Sequence, residues 1–312
     1  MEKKQVVGIS VVALVLTLST MAFARTIDPI VSTEWLNANG DMEGLVILDV
    51  RSDDAYAAGH IDGAVSEPFV VPFSAWITMP EETGFLLELP PESELFAAIG
   101  DLGIDTQSKV VVVADPSPGE PAHYGPAGGA RVASTLIYAG VADVAILDGG
   151  HTKWVADGYA VSTDDVAPIP VVFDGASNPW MFVSTEYVRQ RAWWANLIDA
   201  RDAAVYFGAT IEPFAPVPGH IPTAMSLPTP WAYEEDMTFK SVETLDDMSS
   251  GVLGRRGHPF AEIIVYCGVG GYAGVWWYLL SQVLGYHNVK FYDGSAQAWV
   301  AAEHDMVPYK WK

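Results

Sequence analysis

The chain copies itself once. Val46-Ile47-Leu48-Asp49-Val50-Arg51 recurs as Asn196-Leu197-Ile198-Asp199-Ala200-Arg201, and Gly59-His60-Ile61-Asp62-Gly63-Ala64 recurs as Gly219-His220-Ile221-Pro222-Thr223-Ala224. Farther along, Val110 to Asp115 matches Glu262 to Cys267, and Val144 to Gly150 matches Val289 to Ser295. A tryptophan, Trp154 or Trp299, follows each member of that last pair. Four landmarks in the same order mean two copies of one folding unit. The apolar runs are short and mostly β-branched, as buried strands are. Between the last two landmarks each half holds a helix-length apolar segment, Arg131 to Ala139 or Ala273 to Leu284. Each is followed by a glycine, Gly140 or Gly285, suited to stopping a helix. Buried strands alternating with helices predict an α/β fold with two similar domains, each a parallel sheet flanked by helices on both faces.

The remaining segments divide around that repeat. Residues 1–24 carry two lysines, then an uncharged apolar run that closes on Ala22-Phe23-Ala24. This reads as a secretory signal peptide cleaved after Ala24, with an uncleaved membrane anchor as the alternative. The domains are then expected at 25–163 and 181–312. The Pro-, Asp-, Ser- and Gly-containing stretch 164–180 forms the linker. A periplasmic or secreted location follows, without membrane association once the signal is removed. The formal net charge of −23 argues against nucleic acid and anionic membrane surfaces as partners. No spacing of His, Cys and carboxylates suggests a metal site, and no cofactor is expected.

Cys267 is the only cysteine, so no disulfide can form within the chain. It ends a strand and is followed by Gly268-Val269-Gly270-Gly271-Tyr272, after which a helix begins. Three glycines let the backbone curl so that successive N–H groups face inward as an anion nest. The helix start adds partial positive charge. This setting predicts a lowered thiol pKa and a cradle, residues 268–272, able to hold a persulfide. The alternative is a small buried hydrophobe in a structural turn.

The paired Asp-x-Arg, Gly-His-Ile-(Pro/Asp)-x-Ala and Asp-Gly-(Gly/Ser)…Trp elements together resemble the tandem-domain rhodaneses, the thiosulfate and 3-mercaptopyruvate sulfurtransferases. The resemblance covers nearly all of the chain after residue 24. It implies two rhodanese-like domains, the first non-catalytic and the second catalytic. Asp115 stands in the first half where Cys267 stands in the second. It also implies sulfane-sulfur transfer from a small donor to a thiol- or cyanide-like acceptor through a Cys267 persulfide. Cys267-Gly268-x-Gly270 looks more like the mercaptopyruvate-type loop. The chain departs from the family in three ways. Val269 replaces the hydroxyl or basic residue two after the cysteine. No basic residue lies near Val205 or within 211–217. Leu87-Glu88-Leu89-Pro90 lacks the usual histidine.

Arg255 and Arg256, with His258, precede the catalytic strand and are candidates for replacement substrate-binding charge. His60 and His220, repeated in both halves, are expected to be structural, as are the Asp49–Arg51 and Asp199–Arg201 pairs. Trp276 and Trp277 are expected in the core. A phosphatase would need an arginine six residues after Cys267, and that position is Ala273. A non-enzymatic sulfur-relay or persulfide-binding module, receiving sulfur from a partner protein, is the competing function.

Overall fold

The structure, a computed structural model, describes residues 25–117 and 121–311. The leader reading lies on residues 1–24, outside the described residues. Among the described residues no helix is long and apolar enough to cross a membrane.

Among the described residues ten strands form two five-stranded sheets. The first holds β1 (Ile30–Val31), β2 (Leu45–Asp49), β3 (Val65–Ser66), β4 (Lys109–Val113) and β5 (Asp143–Leu147), in the order β1-β5-β4-β2-β3. The second holds β6 (Phe182–Val183), β7 (Asn196–Asp199), β8 (Met225–Ser226), β9 (Ile263–Tyr266) and β10 (Val289–Tyr292), in the matching order β6-β10-β9-β7-β8. All pairings are parallel. Sequence duplication therefore becomes duplication of topology. Residues 164–180, between the two sheets, carry no helix or strand.

Alternation along each strand explains why both faces are covered. On β4, Val110 and Val112 enter one apolar core while Val111 and Val113 enter another; on β9, Ile263 and Val265 are divided from Ile264 and Tyr266 in the same way. The inner core runs without a break through both domains, joining Leu48, Val112 and Leu136 to Ile198, Val265 and Trp276. Its seam is the packing of helix Tyr124–Ala139 on helix Tyr272–Tyr278. The backbones approach so closely that a Cβ on Gly274 would lie 3.0 Å from Arg131 Cα and N. Trp276 and Trp277 are core residues, 0% and 4% exposed.

Gly140, at φ 108, ends the first of these helices as expected. The second departs from a plain helix over 273–284: the α-helix stops at Tyr278 and Leu279–Val283 form a π-helical turn. There Leu284 N–H reaches back to Leu279 O at 2.8 Å. Such turns arise within helices from local packing and leave no mark in hydrophobic periodicity.

The repeated polar elements are fold supports, reproduced almost atom for atom. Arg51 and Arg201 each form a 2.6 Å ion pair with Asp49 or Asp199 and donate to Gly59 O or Gly219 O at 2.8 Å. His60 and His220 each stack on a tyrosine, Tyr56 or Tyr206, with centroids 3.8 Å apart, and each Nδ1 lies 3.0 Å from that tyrosine's carbonyl oxygen. Trp154 and Trp299 donate to Ala160 O and Asp305 O.

Candidate active site

In an open parallel sheet the chain reverses its direction of growth at one point, and a crevice opens there at the carboxyl ends of the strands. In the second sheet this point lies between β7 and β9. β9 delivers Cys267 to it, and β7 delivers Arg201 and Asp202. A cleft of about 490 Å³ opens at this place. Its second-domain lining includes Cys267, Gly268, Val269, Gly271, Tyr272, Asp202, Glu212 and Phe214. The first domain supplies Phe69, Leu86, Leu87 and Tyr124 among others. The site is thus built by both halves.

The Cys267 loop is curled as expected. Gly270 adopts φ 91, a left-handed conformation that a side chain resists. Its N–H donates to Cys267 Sγ at 3.1 Å. The amides of Val269 and Ala273 also act on the sulfur. Ala273 lies one residue beyond the expected cradle. The loop is pinned from behind: Ala296 N–H and Gln297 N–H donate to Cys267 O and Gly268 O, both at 3.0 Å. Ser295 Oγ accepts from Cys267 N–H at 3.2 Å.

The lowered thiol pKa expected from this loop is not what the structure gives. Cys267 is 3% exposed. Burial pushes its pKa up, and the nearby Glu212 carboxyl pushes it farther, against the three amides. Three N–H dipoles do not replace the water that a thiolate loses on leaving solvent. The resting cysteine is held as a thiol at the cleft wall.

Arg255 and Arg256 do not reach this site. They sit in a short 3₁₀ turn, Gly254–Arg256, ahead of β9, whereas Cys267 follows the strand's other end. Both are exposed, and four strand residues at ~3.3 Å each separate the two ends. The guanidinium beneath the loop belongs instead to Arg131, from the first domain, which is 0% exposed. It pairs with Asp293 at 2.6 Å and donates to Leu87 O at 2.8 Å and Gly270 O at 3.3 Å. The first-domain segment Leu86–Leu89 closes on the same place. Leu86 exchanges two hydrogen bonds with the Gln297 side chain, at 3.0 and 2.8 Å, and Leu89 N–H donates to Asp293 at 2.8 Å. Glu88, which follows Leu87 in the segment that lacks the family's histidine, has its carboxyl pushed up to about 7 by burial and by Asp293, against the pull of Arg131.

The stretch 211–217, recognised in the sequence as lacking a basic residue, puts Glu212 and Phe214 against Gly268. Arg201 Nη1 lies 3.4 Å from Glu212 Oε2. Burial nevertheless pushes the Glu212 carboxyl up to about 7. In the first domain the corresponding place is filled. Asp115 accepts from Thr152 N–H at 2.6 Å and from Arg51 Nη1 at 3.3 Å, and His151 Nδ1 stands 2.8 Å from the same guanidinium nitrogen. Among the described residues no cluster of His, Cys, Asp and Glu has a metal-holding arrangement.

Comparison with known proteins agrees with this architecture. A family model described as "Rhodanese-like domain" matches residues 32–157 and again 184–302. A Mycobacterium leprae protein named "Putative thiosulfate sulfurtransferase" is 30% identical over 280 residues, covering 86% of this chain and 93% of that protein. A protein of the same name from Mycolicibacterium smegmatis is 29% identical over 283 residues, covering 86% and 93%. Among solved structures, wild-type EanB superposes with a TM-score of 0.76 at 23% identity, covering 90% of this chain and 69% of that one. The anaerobic ergothioneine biosynthesis enzyme of Chlorobium limicola, solved with its natural substrate trimethyl histidine, gives 0.74 at 23% identity, covering 90% and 71%. These two likenesses concern the fold.

Proposed function

Because this chain belongs to the rhodanese-like domain family, we propose that it is a sulfurtransferase whose carrier is a persulfide on Cys267. The observation that carries this reading is the single cysteine at the carboxyl end of the central strand β9, lining the cleft with the Gly270 amide on its sulfur. The Cys267 thiolate attacks the outer sulfur of a donor. The donor's S–S or C–S bond breaks, and its electron pair leaves with the remaining fragment. An acceptor nucleophile then attacks the outer sulfur of the persulfide and returns the pair to Sγ. A hydropersulfide is a stronger acid than the thiol it replaces, so burial leaves more of it ionised. Loading requires the thiol proton to leave first, and the raised pKa makes this the pH-sensitive step. The sequence of residues 1–24, two lysines followed by an uncharged apolar run, supports a reaction outside the cytoplasm.

A relay in which a partner protein delivers the sulfur remains the second reading, favoured by one observation: among the described residues the cleft lining contains no lysine or arginine to hold a small anionic donor. Intact-mass measurement separates the two. Thiosulfate, mercaptopyruvate or polysulfide should add one sulfur to the wild type, removable by cyanide and absent from Cys267→Ser. Thermal unfolding should show Cys267→Ser folded, since serine is close in volume. Sulfur gained only from a protein donor would favour the relay, and no gain from any donor would remove both.

A further inference from the structure

The charge facing Cys267 identifies what the cleft is built to receive. Its ionisable lining consists of Asp202, which is exposed, and Glu212, together with the thiol and two tyrosines. The two guanidiniums nearest the site are already engaged. Arg131 is committed to Asp293 and two carbonyl oxygens. Arg201 is committed to Asp199, Gly219 O and Glu212. Neither lines the cleft. The rest of the wall is rich in rings: Phe69 and Tyr124 from one domain, Phe214 and Tyr272 from the other, with the two tyrosine centroids 5.3 Å apart. Carboxylates beside aromatic faces attract cations through both charge and ring quadrupole. A dianion such as thiosulfate meets repulsion here, with no cationic side chain among the described lining residues to offset it.

We propose that the sulfur acceptor of this enzyme is a small cationic nucleophile, an amine- or quaternary-ammonium-bearing molecule whose positive group is held by Asp202, Glu212 and the surrounding rings. This rests on the Cys267 persulfide reading and specifies its substrate class. With a thiol acceptor, the acceptor's thiolate attacks the outer sulfur. The Sγ–S bond breaks, its electron pair stays on Cys267, and a new persulfide departs on the acceptor. No external oxidant or reductant is needed.

The test uses the full chain loaded with polysulfide, loading being verified as a one-sulfur mass gain. Sulfur loss is then timed with cysteamine, 2-mercaptoethanol and 3-mercaptopropionate, which are cationic, neutral and anionic acceptors of similar size. Each rate is divided by that of the Glu212→Gln, Asp202→Asn double variant, which cancels the thiols' own reactivities. Because the double variant also alters Cys267 itself, the neutral acceptor serves as the reference: the wild-type-to-variant ratio is expected to be roughly tenfold higher for cysteamine than for 2-mercaptoethanol, and lower for 3-mercaptopropionate than for 2-mercaptoethanol. Added salt should shrink the spread. Equal ratios for the three acceptors, or a ratio favouring the anion, overturn the proposal. A second readout does not need the persulfide. Modification of the Cys267 thiol by a trimethylammonium-ethyl methanethiosulfonate should outpace modification by the sulfonatoethyl analogue, and the double variant should lose the difference. Failed loading with this charge preference intact would remove the sulfur-transfer reading while leaving the cation-selective cleft. Loss of the charge preference would remove the cleft's selectivity alone.

Discussion

The Glu212 carboxyl helps set the protonation of Cys267. Each is desolvated, and the Glu212 charge is one reason the thiol is held above its ordinary range. Glu212→Gln should therefore move the pH profile of Cys267 alkylation to lower pH, read as iodoacetamide labelling rate against pH; an unchanged profile would mean that the carboxyl does not act on the sulfur. Gly270 makes a different demand. An alanine there would hold φ 91 against its own preference, at about 1–2 kcal/mol, and its Cβ would lie 3.1 Å from Asp293 O. Gly270→Ala should lower the melting temperature and also slow persulfide formation, because relief of the strain turns the 3.1 Å amide donor away from Sγ. The sequence shows the lone cysteine and its glycine loop plainly, since both are local. It does not show the sign of the thiol's pKa shift, which depends on burial by residues far away in the chain.

At the level of elements, the inner strands β2, β4, β5, β7, β9 and β10 were readable because parallel strands buried on both faces leave short unbroken apolar runs. The two-residue edge strands and the order of strands in each sheet were not. Nor were the ends at which loops meet. Arg255 and Arg256 stand close to Cys267 in sequence, yet a strand lies between them, and proximity along a strand is separation across a sheet. Conversely, Leu86 and Gln297 are 211 residues apart and exchange two hydrogen bonds. The Leu87-Glu88-Leu89-Pro90 segment could be located from the sequence as the counterpart of a family element, but its role as a clasp on the second domain could not. Glu88 makes that clasp pH-sensitive. Its carboxyl holds a proton more tightly in the folded chain than in the unfolded one, so it takes stability away as pH rises from 4.5 to about 7. Glu212 acts in the same direction over the same window. Melting temperature should fall across that window, and Glu88→Gln should flatten part of the fall. A wild-type slope identical to the variant's would show that Glu88 is not desolvated.

The whole molecule is two copies sharing one inner core. Cooperative unfolding in a single calorimetric transition is the expected behaviour, because neither half can open without exposing apolar surface of the other. Two resolved transitions would contradict it. Arg131→Leu tests the polar part of the same union. Removing one partner from a buried ion pair typically costs about 3–5 kcal/mol, and here it leaves Asp293 uncompensated between the domains. The melting temperature should drop sharply, with transfer activity falling as the Cys267 loop loses its support.

Asp115 shows how differently the two copies use one position. Its carboxylate occupies the very place held in the sister copy by the cleft-lining sulfur of Cys267, and it is tied down by Thr152 and Arg51. The first half thus carries its own plug. Placing a cysteine at that position would strip Arg51 of a counter-ion and supply no glycine coil around the new sulfur, for Pro116 and Ser117 follow instead. Handle and tool differ by a whole loop, so one substitution does not turn the first half into a working twin of the second.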